Sequence, residues 1–302
     1  MSSVVAEPVS ICGLGPMGGP IAGRLLDAGS HLTVWNRTPS RTDPFVARGA
    51  SFALTPSDAA LPIVLTVLPD LPQVEGILAG DDGLLAGWAA RGVSHPVLVV
   101  HGTTSPVDTA AFARTMEREH GVSVVDAPLS GGTIGAAAGT LSIMVGGDPM
   151  IARHAEPIFR LYGRVIRYFG PAGSGALAKA CNQIVVASTV AAISEALSLA
   201  ARAGLEKSTV IEILEGGLAA SEVLRQKKSK WLSADYTEGG SAANQLKDLR
   251  FVEEAARELS IDLPVSTAVM SLFAEMVAAG EGELDHTGVI RVVERRAELN
   301  DE

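Results

Sequence analysis

Gly13-Leu14-Gly15-Pro16-Met17-Gly18 follows the short apolar run Val9–Cys12 and opens a helical pattern. Glycines at the first, third and sixth positions suit a dinucleotide. The first turns the chain tightly, the second lets the backbone approach a pyrophosphate, and the third lets a helix pack close to a strand. The helix N-terminus adds unpaired N–H groups and the positive end of a peptide dipole for the phosphates. At the end of the next apolar run, Leu32–Trp35, stand Asn36, Arg37 and Thr38. A carboxylate there would hold a ribose 2′-hydroxyl. None is present, and the Arg37 guanidinium offers charge-assisted hydrogen bonds to a 2′-phosphate instead. The expectation is NADP(H) in preference to NAD(H).

A second group of polar residues lies where polarity is least expected. From Leu177 to Ala203 the chain is small and apolar, yet it carries Lys179, Asn182, Gln183 and Glu195. Lys179, Asn182 and Gln183 fall at i, i+3 and i+4, so a helix gathers them on one face. A polar triplet on an apolar helix needs partners or a cleft to offset its burial. A lysine desolvated there has its pKa drawn toward neutrality and can exchange a proton with a hydroxyl. Ser130-Gly131-Gly132 follows a strand-like run and offers a hydroxyl with unobstructed backbone N–H groups for a substrate carboxylate.

These residues need a scaffold, and the pattern supplies one. With 302 residues the chain is long for one core, and two domains are expected. Strand runs at Val9–Cys12, Leu32–Trp35, Ile63–Leu68, Val97–Val100, Val122–Asp126, Leu141–Val145 and Val165–Tyr168 alternate with helical stretches such as Gly18–Ala28, Val74–Leu78 and Pro106–Glu119. That alternation predicts an α/β Rossmann fold with a doubly wound parallel sheet over residues 1–169. Strand signals then stop. Residues 170–302 read as an all-helical domain for substrate and assembly, broken at Gly204, Gly216-Gly217, Gly239-Gly240 and Pro264. The net charge of -10, with no basic stripe, argues against a nucleic-acid partner. The charged residues in the Leu177–Ala203 run argue against a membrane span. No leader pattern is apparent in Met1–Ser10, and Cys12 and Cys181 read as reduced core thiols, so a cytoplasmic protein is expected. The six histidines show no metal-ligand spacing. His101 and Trp231 each suit either a packed position or one near the substrate.

Three stretches together resemble the β-hydroxyacid dehydrogenase family, which includes 3-hydroxyisobutyrate dehydrogenase and tartronate semialdehyde reductase. They are Gly13–Gly18; Asp126-Ala127-Pro128-Leu129-Ser130-Gly131-Gly132 with Gly139-Thr140-Leu141 and Met144-Val145-Gly146-Gly147; and Gly173 to Asn182 with Lys247-Asp248. The resemblance implies an enzyme that moves a hydride between a nicotinamide and a 3-hydroxy acid or its semialdehyde. It makes Lys179 the general acid/base, Asn182 the substrate-orienting asparagine and Lys247 a lysine near the nicotinamide end. Leu68, Pro69 and Thr103 would line the cofactor, and a homodimer or homotetramer is implied. Three positions depart from the family. Gln183 replaces a second asparagine, Gly240 stands where members carry phenylalanine, and Val100-His101-Gly102-Thr103 lacks a serine beside the cofactor. The departures point to a substrate bulkier or less polar than 3-hydroxyisobutyrate. Pro16 and Val34-Trp35-Asn36-Arg37-Thr38-Pro39-Ser40 are also similar to imine reductases, which generally lack the lysine. A non-catalytic NADP-binding module is the remaining alternative, and loss of that lysine would mark it.

Overall fold

The computed structural model describes residues 7–237 and 239–299, so Met1–Ala6, Glu238 and Asn300–Glu302 lie outside the described residues. The chain divides into two compact units, residues 1–179 and 180–302.

In the first unit the described residues form one sheet of nine strands: β1 (Val9–Cys12), β2 (Leu32–Trp35), β3 (Ser51–Phe52), β4 (Ile63–Thr66), β5 (Val97–Val100), β6 (Ser123–Asp126), β7 (Leu129–Ser130), β8 (Leu141–Gly146) and β9 (Gly163–Gly170). The first six are parallel in the order β3-β2-β1-β4-β5-β6. β1, β4 and β5 are buried along their whole length, as strands covered on both faces must be, which is why they read as unbroken apolar runs. Alternate side chains enter two different cores. Val9, Ile11, Ile63, Leu65, Val97 and Val99 join one cluster, while Cys12, Val64, Leu98 and Val100 join the other. The helices of this unit are α1 (Gly18–Asp27), α2 (Asp43–Val46), α3 (Leu71–Leu78), α4 (Leu84–Arg91), α5 (Pro106–His120), α6 (Gly132–Ala138) and α7 (Pro149–Phe159).

The expected doubly wound sheet is present, with one correction to its wholly parallel character. β8 runs antiparallel to β6 and β7, and β9 is parallel to β8. β6 and β7, separated only by Ala127 and Pro128, run in the same direction along β8, with Asp126 opposite Gly146, Leu129 opposite Ile143 and Ser130 opposite Ser142.

α8 (Ser174–Arg202) begins four residues after β9 and runs across the division between the units. By length and composition it could cross a membrane, with mean hydropathy 1.9, and 44% of its most apolar window is buried in the protein. It is followed by α9 (Lys207–Gly216), α10 (Glu222–Ser233), α11 (Ala242–Glu258), α12 (Pro264–Ala278) and α13 (Ile290–Leu299). The core of the second unit holds Trp231, Phe273, Met276, Leu197 and Val190. Trp231 is a packing residue there, and its Nε1–H donates to Ser194 Oγ at 3.2 Å. Cys181 corrects an expectation: it is exposed, while Cys12 is buried. Two residues beyond Lys179, it lies about 200° further around the helix, on the side of exposed Leu177 and Val185.

Candidate active site

Backbone geometry explains the glycine loop. Gly13 has φ +103°, and a Cβ on it would stand 2.5 Å from the Val67 carbonyl oxygen. A Cβ on Gly18 would stand 1.9 Å from the Gly13 carbonyl oxygen, so helix α1 closes onto the loop only without one. Gly15 is different: its Cβ would meet nothing within 4 Å. This glycine leaves an open approach to the backbone beside the α1 N-terminus, which fits a pyrophosphate. Leu14 is buried and the partly buried Met17 packs on the core, whereas Pro16 is exposed.

The end of β2 is tied to this loop. The Leu14 N–H donates to Asn36 Oδ1 at 2.9 Å, and Asn36 Nδ2 donates to the Thr38 carbonyl at 2.9 Å. Asn36 is therefore a brace. Arg37 beside it is exposed, and its guanidinium has no hydrogen bond or ion pair among the described residues. Leu68 and Pro69 follow β4, and Thr103 follows β5. A Cβ on Gly102 would lie 2.2 Å from the Leu68 carbonyl oxygen, and one on Gly13 would lie 2.9 Å from Leu68 Cδ2. The carboxyl ends of β1, β4 and β5 thus bring Gly13, Leu68, Pro69 and Thr103 to one edge of the sheet, where open α/β sheets take their ligands.

His101 belongs to the core below this edge. One ring nitrogen lies 2.6 Å from the Ala127 carbonyl and the other 3.0 Å from the Tyr162 hydroxyl, with Phe159 packed edge-on. Burial draws its pKa down to about 4. It is a neutral structural residue.

Ser130 ends β7, and Gly131 and Gly132, at φ +129° and +65°, turn the chain into α6. Upstream of them, Asp126 ends β6 with no exposure at all. Its Oδ1 accepts from the Gly173 N–H at 3.0 Å and its Oδ2 from the Ala176 N–H at 2.8 Å. The carboxylate caps the start of α8 and meets the positive end of that helix. Burial pushes its pKa above the usual carboxylate range, and the N–H donors of Gly173, Ala176 and Gly175 oppose that rise. Lys179 is one turn further along the same helix and only 8% exposed.

In the second unit, Gln183 Nε2 donates to Asp248 Oδ2 at 2.6 Å, and Asn182 Nδ2 donates to Gln183 Oε1 at 2.9 Å. Lys247 Nζ lies 3.2 Å from Asp248 Oδ1 and 5.0 Å from the centre of the Phe251 ring. These contacts join Asn182, Gln183, Asp248 and Lys247 into one chain on α8 and α11. Gly240 is exposed, its Cβ would meet nothing within 4 Å, and its carbonyl accepts from the His286 N–H at 2.8 Å. The neighbouring Gly239, φ +142°, is forced: a Cβ would lie 1.7 Å from Asp285 Oδ2, which Lys227 Nζ holds at 2.5 Å.

Sequence reasoning quoted Asp126 and Asp248 inside motifs without assigning either a role. The signal was available for Asp126: an acid closing the apolar strand Ser123-Val124-Val125 must be buried, and a buried carboxylate needs donors. Asp248 gave no such signal, because an acid beside a lysine reads as a solvated helix face.

The family model for the NAD binding domain of 6-phosphogluconate dehydrogenase matches residues 8–170. That for the NAD-binding region of NADP-dependent 3-hydroxyisobutyrate dehydrogenase matches residues 173–293. The chain belongs to the β-hydroxyacid dehydrogenase family. Two relatives of this β-hydroxyacid dehydrogenase match along nearly their whole length. A 2-hydroxy-3-oxopropionate reductase of Escherichia coli (strain K12) is 36% identical over 287 residues, covering 94% of this chain and 96% of its own. An NAD-dependent L-serine dehydrogenase of Pseudomonas aeruginosa is 37% identical over 292 residues, with 94% and 96% covered. The crystal structure of a 3-hydroxyisobutyrate dehydrogenase from Salmonella typhimurium superposes with a TM-score of 0.87 at 25% identity, covering 95% of this chain and 100% of that one. Like its relatives, this β-hydroxyacid dehydrogenase is an NAD(P)-dependent oxidoreductase acting on a hydroxyl-bearing carbon.

Proposed function

We propose that the chain interconverts a β-hydroxy acid and its semialdehyde with NADP(H) as the preferred cofactor and Lys179 as the proton-transferring residue. The observation that carries this reading is the burial of Lys179, at 8% exposure, in an apolar helix whose start is pinned by a carboxylate. A lysine so shielded from water is placed to exchange a proton with a substrate hydroxyl. The bound dinucleotide supplies or accepts the hydride. The protein does the rest. The Gly13–Gly18 backbone receives the pyrophosphate, Arg37 pairs with the 2′-phosphate, and Leu68, Pro69 and Thr103 line the nicotinamide side. Ser130, Gly131 and Gly132 take the substrate carboxylate and Asn182 orients the substrate. In reduction Lys179 gives its proton to the developing alkoxide oxygen, and in oxidation it removes the hydroxyl proton.

The substrates named for the relatives, 2-hydroxy-3-oxopropionate and L-serine, are small polar three-carbon compounds and make the first panel. Gly240 leaves room for larger ones. Purified protein is assayed with NADPH and NADH against semialdehydes, and with NADP and NAD against L-serine and other β-hydroxy acids. The expected result is turnover of an aldehyde acid with NADPH favoured at least tenfold in kcat/KM. Preference for NADH, or turnover confined to a cyclic imine, would contradict the reading. A homodimer or homotetramer belongs to it as well, supported by exposed Leu177, Val185 and Leu199 on α8. Light scattering at the 31.2 kDa mass of one chain would count against that part.

A further inference from the structure

β9 is an edge strand: among the described strands it pairs with β8 alone. Its register is regular from Val165 to Tyr168, opposite Ser142 to Val145, and is interrupted by an irregularity on either side. The Met144 N–H donates to the Pro128 carbonyl, on the β7 side of β8. Alternation along β8 then gives the main-chain groups of Ile143 and Val145 to β9, and those of Ile166, opposite Ile143, face away from β8. Along this edge Arg164, Val165, Arg167, Tyr168 and Phe169 are all exposed, Val165, Tyr168 and Phe169 at 39%, 49% and 52%. Charge here runs against that of the whole chain. From Arg160 to Gly170 there are three arginines and no acid, in a protein of net charge -10. Arg160 pairs with Glu156, whereas Arg164 and Arg167 have no ion pair among the described residues. The Arg167 guanidinium bends back along its own strand, and its Nη1 donates to the outward Ile166 carbonyl at 2.8 Å.

We infer that the β9 edge is a docking surface for a short acidic segment of a partner protein, which adds to the sheet as an extra strand. Strand addition draws affinity from main-chain hydrogen bonds and selectivity from the side chains beside them. Arginines on an edge ordinarily keep strands from pairing indiscriminately. Here they select the partner's charge. A carboxylate is a better acceptor for Arg167 than a backbone carbonyl, because charge-assisted bonds are the stronger. Drawing the guanidinium onto that acid uncovers the Ile166 carbonyl for the incoming strand. Val165 and Phe169 supply apolar contacts, and the Tyr168 ring is held in place by its hydroxyl, which donates to the Gly147 carbonyl at 3.0 Å. The same charges oppose other occupants. A second copy would set two arginines against two more, and like charges facing across strands are destabilising. A nucleic acid or an anionic membrane would meet the net charge of -10 carried by the chain. The four residues in regular register keep the partner segment short and place the complex in the weak, transient class.

The test uses the whole chain and a fluorescein-labelled peptide, Val-Glu-Val-Val-Glu-Val, whose glutamates have the spacing of Arg164 and Arg167. Fluorescence anisotropy should show saturable binding with a Kd in the micromolar range. The double variant Arg164→Glu/Arg167→Glu weakens it about tenfold or more, and so does added salt. A peptide with lysines in place of the glutamates regains affinity for the reversed variant. N-methylation of alternate peptide amides removes main-chain donors, leaves the charges, and also costs about tenfold. Both arginines are exposed, so the variant keeps the melting temperature of wild type. No saturable binding to wild type overturns the proposal. Binding indifferent to charge reversal removes the arginines from it, and binding indifferent to N-methylation removes strand addition. Tighter binding of a single-stranded oligonucleotide or of phosphatidylserine vesicles than of the peptide overturns the choice of an acidic peptide. Self-association of the chain that the double variant abolishes does the same and gives the edge to a second copy.

Discussion

In the proposed NADP(H) reading, Asn36 and Arg37 divide a task that one acidic residue performs where a ribose 2′-hydroxyl is the ligand. Asn36 spends its oxygen on the Leu14 N–H and its nitrogen on the Thr38 carbonyl, so it shapes the loop, and the proposed reading gives recognition of the 2′-phosphate to Arg37. Arg37→Ala should therefore raise the KM for NADPH roughly 10- to 100-fold, the loss of one or two charge-assisted hydrogen bonds, with little change for NADH. Equal effects on both cofactors would show Arg37 to be a bystander. The glycines separate in the same way. Gly15→Ala meets no internal obstacle, so its melting temperature should stay near that of wild type while the Kd for the dinucleotide rises at least tenfold. Gly18→Ala places a methyl 1.9 Å from a backbone oxygen and should cost stability, roughly 1–3 kcal/mol in denaturant unfolding. The glycine loop was legible in the sequence because glycine spacing has a local meaning. The brace made by Asn36 was not, since it depends on where two distant turns meet.

At the scale of elements, the start of α8 is tied to the end of β6. Asp126 closes β6 and receives the Gly173 and Ala176 N–H groups, so a strand end and a helix start are joined through one buried carboxyl. Gly175 is bound into the same joint: a Cβ there would lie 2.4 Å from the Met144 carbonyl and 2.9 Å from Asp126 Oδ2. Asp126→Asn keeps one acceptor and turns an NH2 toward the other N–H. It should lower stability by roughly 1–3 kcal/mol and reduce kcat, as read by urea unfolding and steady-state assay. A variant as stable and as active as wild type would remove the joint from the account. The strands and the helical second half were readable because long apolar runs and glycine breaks carry clear periods. β3 and β7 escaped notice, being two residues each and stabilised only by pairing. The antiparallel turn of β8 also escaped, because strand direction follows from connection length and neighbours, not from the strand's own residues.

For the whole molecule, the buried histidines give stability a pH dependence. His101 and His286 both have their pKa drawn down to about 4, chiefly by burial, from an ordinary value of 6.5. Between those values the unfolded chain binds more protons than the folded one. Stability is therefore full above about pH 6.5 and is lost as pH falls toward 4, with a ceiling of roughly 3 kcal/mol for each histidine. Melting temperatures taken from pH 7 to pH 4.5 should fall, and less steeply in His101→Gln. A flat profile would mean that these rings are reached by water. His101 also shows the limit of sequence reading at this scale. A histidine at a strand end beside a cofactor loop suits chemistry, and only the packing of Phe159 and Tyr162 around it assigns it to the core.

The most direct test of the account is the steady-state reduction of 2-hydroxy-3-oxopropionate with NADPH by wild type and by Lys179→Met, with cofactor binding measured in parallel. If Lys179 protonates the alkoxide, kcat falls by about two to four orders of magnitude while the Kd for NADPH is unchanged. Turnover of the same semialdehyde within a few-fold of wild type in Lys179→Met would contradict the proton-transfer role and leave this lysine a structural residue of α8.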